Sequence, residues 1–85
     1  MSLTALYNKL IKQGYDVERV TVYNVGGSGK DAEGIIARHD YTGPYPTRDA
    51  LETHAAISNV ARRAGFTADQ RGHYAATLVY KAVTE

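Results

Sequence analysis

Cysteine and tryptophan are absent from the chain, phenylalanine and methionine occur once each, and proline only twice. Without cysteine there is no disulfide framework, thiol nucleophile, iron–sulfur ligation or cysteine zinc site. An excess of charge of one sign is missing too: ten Lys and Arg stand against nine Asp and Glu, a formal +1. Dedicated nucleic-acid binders carry a clear basic excess, so near-neutrality weighs against that class. Uninterrupted apolar stretches reach only two or three residues, against the ~20 needed for a membrane-spanning helix. No apolar segment follows a basic start, so nothing reads as a secretory signal. These absences lead to the expectation of a soluble, cytoplasmic chain without membrane contact. Its 85 residues leave room for one domain, residues 1–85, and for no second core. No internal repeat, low-complexity tract or linker stands out along it.

What is present is an ordinary apolar share of 44%, enough for a folded globule, and an unusual aromatic set. Seven of the eight aromatic residues are tyrosines: Tyr7, Tyr15, Tyr23, Tyr41, Tyr45, Tyr74 and Tyr80. A buried tyrosine hydroxyl needs a partner, so this number implies half-wet rings at a surface or in an interface.

Leu3, Leu6, Tyr7, Leu10 and Ile11 recur at the spacing of an amphipathic helix, with Ser2 as N-cap and Gly14 as its stop. From Val17 to Val25 the period changes to two and β-branched residues dominate, which predicts a strand. A second strand follows at about 33–40, after the glycine-rich stretch 26–31. Two such runs joined this way read as an antiparallel hairpin with a long, mobile loop. Adjacent Ile35 and Ile36 place an apolar group on each face of that ribbon, as Val20 and Val22 do opposite Tyr23 and Val25. Pro44 and Pro46 mark a loop. Thr47 then caps a helix over about 48–64, which Gly65 ends. Thr67–Ala68–Asp69–Gln70 fits a capping box, and Ala75, Leu78, Val79, Ala82 and Val83 repeat the helical stripe. A third helix is the expectation there. The same segment also alternates at Tyr74, Ala76, Leu78 and Tyr80, and Gly72 sits badly in a helix, so a third strand is the alternative.

The motifs for chemistry are sparse. The glycine loop fails as a phosphate-binding P-loop, since Asn24 occupies the first glycine position and Asp31 the hydroxyl position. A looser role remains for Lys30 and the loop amides against an anion or a partner's backbone. His39, His54 and His73 lack the local spacing of a chelating pair, so no metal site is expected. Ser28 and Ser58 lack the strained elbow of an activated hydroxyl. His39 and Asp40, as neighbours on a strand, would point to opposite faces. Asp49 and Glu52 are explained by the positive end of their helix. Arg62, Arg63, Arg71 and His73 bracket the turn before the expected third helix, and a helix–turn–helix would aim them at phosphates.

The expected architecture is α+β, in the order α-β-β-α-α with a hairpin packed against helices, or α-β-β-α-β with a three-stranded sheet. The expected function is that of a non-enzymatic protein-interaction module, a small adaptor or inhibitor of the kind encoded by phages and mobile elements. Its partner would be another protein, and a symmetric homodimer would cover the second ribbon face. No cofactor is expected. Tyrosine and arginine suit contact anchors, and the candidate binding residues are Tyr23, Lys30, Tyr41, Tyr45, Arg62, Arg63 and Arg71. The alternatives are nucleic-acid or nucleotide binding through Arg62, Arg63 and Arg71, and a small oligomeric enzyme.

Overall fold

Ser2 and Gly14 bracket the first helix through backbone chemistry. The Ser2 hydroxyl accepts the otherwise unpaired Ala5 amide at 3.1 Å. Gly14 takes φ +91°, a conformation costly for residues with a Cβ, and turns the chain into the sheet. In this computed structural model, which describes residues 1–39 and 47–81, the helix α1 spans Leu3–Lys12. Strands β1 (Asp16–Val22) and β2 (Ala32–Arg38) follow, then helix α2 (Arg48–Arg63), strand β3 (Thr67–Arg71) and strand β4 (Ala76–Tyr80). The strands form one antiparallel sheet in the order β1-β2-β4-β3. Both helices lie on the same face of it, α1 over β1 and β2, α2 over β3 and β4.

The α+β class is as expected, but neither expected order forms: in place of a third helix, or of one further strand in a three-stranded sheet, the chain makes a second hairpin and a four-stranded sheet. Thr67–Gln70 resembles a capping box, yet its residues form most of β3, and Ala76–Tyr80 is the central strand β4. The turn between them decides this. Gly72, His73 and Tyr74 all have positive φ, at 60°, 53° and 70°, which no helix interior accommodates. The alternating set Ala76, Leu78 and Tyr80 was the correct signal. Sheet pairing satisfies every second side chain on each face, and tertiary burial overrides a weak helical propensity. Ala82, Val83 and residues 40–46 lie outside the described residues.

The chain also contains a structural repeat that its sequence conceals. Each half is a helix followed by a hairpin, and β2 and β4 meet with Ile36 opposite Leu78. Gly65, at φ +88°, ends α2 as Gly14 ends α1. The following amide bonds back identically: Tyr15 to the Leu10 carbonyl at 3.1 Å, and Phe66 to the Ala61 carbonyl at 2.9 Å. Continuing the register, Val17 faces Ala37 in one hairpin, as Ala68 faces Val79 in the other. Leu6, Leu10 and Ala37 therefore correspond to Ile57, Ala61 and Val79. All six belong to one buried cluster between helices and sheet, together with Ile35 and Ala68. Burying each large aliphatic side chain contributes roughly 1.5–3 kcal/mol.

The first hairpin is the longer. Its tip, residues 23–31, is a defined turn rather than a loose link. Asn24 stands in the left-handed region, and its side-chain oxygen accepts the Gly29 amide at 2.6 Å. Asp31 accepts the Asn24 amide, Val25 donates to the Lys30 carbonyl, and the Val25 side chain is buried.

Candidate functional site

Two features of this arrangement offer chemistry: the sheet face turned away from the helices, and a histidine cluster beneath α2.

Alternation along the strands sends Val20, Val22, Ile36, Ala76, Leu78 and Tyr80 to the helix-free face. Ile36 and Leu78, cross-strand neighbours, sit at its centre. Val20, Val22 and Ile36 are half-buried, and Leu78 is 9% exposed. Polar contacts bound this strip. Arg38 bridges Glu18 at 2.9 Å, and the Tyr80 hydroxyl donates to Asp69 at 2.5 Å. The two contacts occupy corresponding diagonals of the two hairpins, with Arg38 and Tyr80 as the exchanged partners. Donation to the Asp69 carboxylate, helped by burial, holds the Tyr80 phenol above its ordinary range. The face carries Asp16, Glu18 and Asp69 against Arg38 and Arg71, so its charge is nearly balanced.

Beneath α2, His39 and His54 converge on one hydroxyl. His39 Nε2 lies 2.7 Å, and His54 Nδ1 2.8 Å, from Thr77 Oγ1. Ser58 Oγ is 3.4 Å from His54 Nε2, and the edge of the Tyr74 ring meets His54 at 5.0 Å between centroids. Thr77 is fully buried. Burial is the first cause that lowers both imidazoles below their usual range; His54 further lowers His39, and Arg62 further lowers His54. An open groove of about 560 Å³, lined by Gly14, Tyr15, Asp16, Arg38, His39 and Thr53, lies against the His39 side. Thr77 is closed to any substrate by its burial, so this cluster is not arranged as a hydroxyl nucleophile with its base. Among the described residues, no three His, Cys, Asp or Glu side chains are grouped to hold a metal ion.

The residues singled out from the sequence are scattered. Tyr23, 75% exposed, and Lys30 flank the first hairpin tip. Arg62 and Arg63 close α2, where their charge meets the negative end of the helix. Arg71 ends β3, about 13 Å along the strand from the α2 turn at ~3.3 Å per residue. No helix follows α2 among the described residues, so the helix–turn–helix that would gather these arginines does not form. Tyr41 and Tyr45 lie outside the described residues. The sequence named His39 and His54 but not Thr77, on which they converge, because 38 and 23 residues separate them from it. Among the described residues, no helix is long and apolar enough to cross a membrane. No family model, curated protein or solved structure matches the chain.

Proposed function

We propose that the chain is a non-enzymatic protein-binding module that makes its contact through the helix-free face of the sheet, with a symmetric dimer as its first assembly. The observation that carries this reading is the apolar strip of Val20, Val22, Ile36 and Leu78, which no helix among the described residues covers. Apolar area removed from water contributes about 25 cal/mol per Å². A strip rimmed by charged and hydrogen-bonded groups has the layout of a protein contact: an apolar centre with a polar edge. Nucleic acid is the poorer partner. Phosphate binding calls for accumulated positive charge, whereas acids and arginines alternate across this face. The one aromatic ring that the described strands place on it, Tyr80, is tied to Asp69.

Sedimentation of the wild type beside Ile36→Glu tests the reading. Ile36 is outside the buried cluster, so the variant is expected to fold with near-normal stability. The wild type should sediment as a dimer and the variant as a monomer. A wild type that stays monomeric at high concentration removes the dimer. A variant that recovers the same proteins from a cell extract as the wild type removes this face as the contact surface.

A further inference from the structure

The chain contains an internal reference for its own polar cluster. In the first half, the positions corresponding to His54, Ser58 and Thr77 are Leu3, Tyr7 and Ile35. Leu3 and Tyr7 pack on the core, and Ile35 is fully buried. This helix-on-hairpin geometry therefore forms with two aliphatic side chains and a tyrosine ring, and nothing in the fold requires an imidazole and a buried hydroxyl at these positions.

The proton count of that cluster is restrictive. A threonine hydroxyl has one proton to donate and lone pairs to accept. With both rings neutral, one imidazole N–H donates to Thr77 Oγ1 and the hydroxyl donates to the other ring. The unpartnered, buried His39 Nδ1 sets the direction. An orphaned buried N–H is rarer than an orphaned acceptor. His39 therefore donates through Nε2 to Thr77, Thr77 donates to His54 Nδ1, and His54 Nε2–H points to Ser58. Protonating His54 turns both nitrogens facing Oγ1 into donors and leaves the hydroxyl proton without an acceptor in a closed site. Protonating His39 adds a second buried N–H, at Nδ1, a cost that the backbone of Arg38 offsets only in part.

Around His39 the groove brings Asp16 and Arg38, of opposite charge, and the Arg38 backbone favours the protonated ring, but burial and His54 outweigh it. Around His54 the relief is small. On α2 itself Arg62 adds like charge, and β3 offers only Asp69, which is already engaged by Tyr80. The hairpin tip contributes the edge of Tyr74, β4 contributes Thr77 with no titrating group, and the end of β2 contributes His39.

We infer that the His39–Thr77–His54 chain is an acid-sensitive clasp that holds α2 on the sheet at neutral pH and loosens it on acidification, leaving α1 in place. The sign follows from linkage. The folded imidazoles resist a proton that the unfolded chain takes up near its ordinary 6.5. The clasp is therefore intact above that value and is lost as pH falls below it, through the lower folded values. Across the helix–sheet contact of the first half, Arg19 lies over Tyr7, and among the described residues the buried cluster there contains no histidine.

Amide hydrogen exchange at pH 7.5 and 5.0, corrected for intrinsic rates, reads this directly. Protection of α2 amides relative to α1 amides is expected to fall about tenfold for each unit of pKa difference expressed. In His54→Gln, which keeps an amide but does not titrate, most of that fall should disappear. The double variant His54→Leu/Thr77→Ile, which copies the first half, should show none. An α2-to-α1 ratio that does not change with pH in the wild type overturns the inference. So does an undiminished fall in His54→Gln, whether or not the double variant folds.

Discussion

In the first half of the molecule, α1 meets the sheet through Leu3, Leu6, Tyr7 and Leu10; in the second, the corresponding positions of α2 are His54, Ile57, Ser58 and Ala61. The strands compensate. Leu10 goes with Ala37, whereas Ala61 goes with Val79, so a large side chain sits on the helix in one half and on the strand in the other. Packing constrains the summed volume of a layer more tightly than the identity of each member. That freedom lets two halves with little sequence likeness adopt one geometry. It also leaves room in the second half for a hydrogen-bonded cluster that the first half lacks.

The sharpest way to break the comparison is to cut the same position in each half. Leu6→Ala and Ile57→Ala should each lose about 2–5 kcal/mol, since both side chains are fully buried. Urea denaturation should give one transition for each variant, because the β2–β4 pairing makes the halves a single sheet. Two separated transitions would show that the halves unfold independently. Next in size is Gly34→Ala. A Cβ there would lie 2.7 Å from both the Val79 carbonyl oxygen and Val22 Cγ2. The backbone must shift, at a cost of about 1–3 kcal/mol, although Ala76 carries a Cβ at the corresponding place in the second half.

Smaller and more nearly equal effects should follow at the helix stops. Gly14→Ala and Gly65→Ala place a Cβ at φ +91° and +88° in otherwise open space. Each should cost about 1 kcal/mol in thermal unfolding. A clear difference between them would show that the two stops carry different strain. The smallest effects belong to the paired diagonals on the free face. Arg38→Ala removes an exposed ion pair and should change stability by less than about 1 kcal/mol. Tyr80→Phe removes a hydrogen bond worth about 0.5–1.5 kcal/mol. Because the folded Tyr80 phenol titrates above its ordinary value, its contribution holds at neutral pH and fades as pH rises through that higher value. Alkaline denaturation of Tyr80→Phe should therefore show a shallower loss than the wild type.

The sequence was most legible where the backbone answers to near neighbours. Ser2, Gly14, Thr47 and Gly65 place the helix ends because caps and left-handed stops act within one turn. Both faces of the β1–β2 ribbon were readable from Val20, Val22, Ile35 and Ile36, since alternation follows from the pleat. Thr67–Tyr80 was misread because a capping-box pattern and an alternating pattern coexist there. Only pairing with β2, far earlier in the chain, decides between them. The repeat stayed hidden for the same reason: Ala61 and Val79 resemble Leu10 and Ala37 only as a sum of volumes.

The candidate sites divide along the same line. Tyr23, Lys30, Arg62, Arg63 and Arg71 were prominent as residue types, yet the fold leaves them at separate corners. The histidine cluster was invisible, since His39, His54 and Thr77 come from β2's end, α2 and β4. By itself the sequence determined the absence of thiol chemistry, the near-neutral charge, the helix ends and a ribbon apolar on both sides, all properties of composition or of residues a few positions apart. The tertiary structure decided the second hairpin, the twofold layout, the free apolar face and the shared hydroxyl, because each depends on which distant strands pair and on how much volume is left between them.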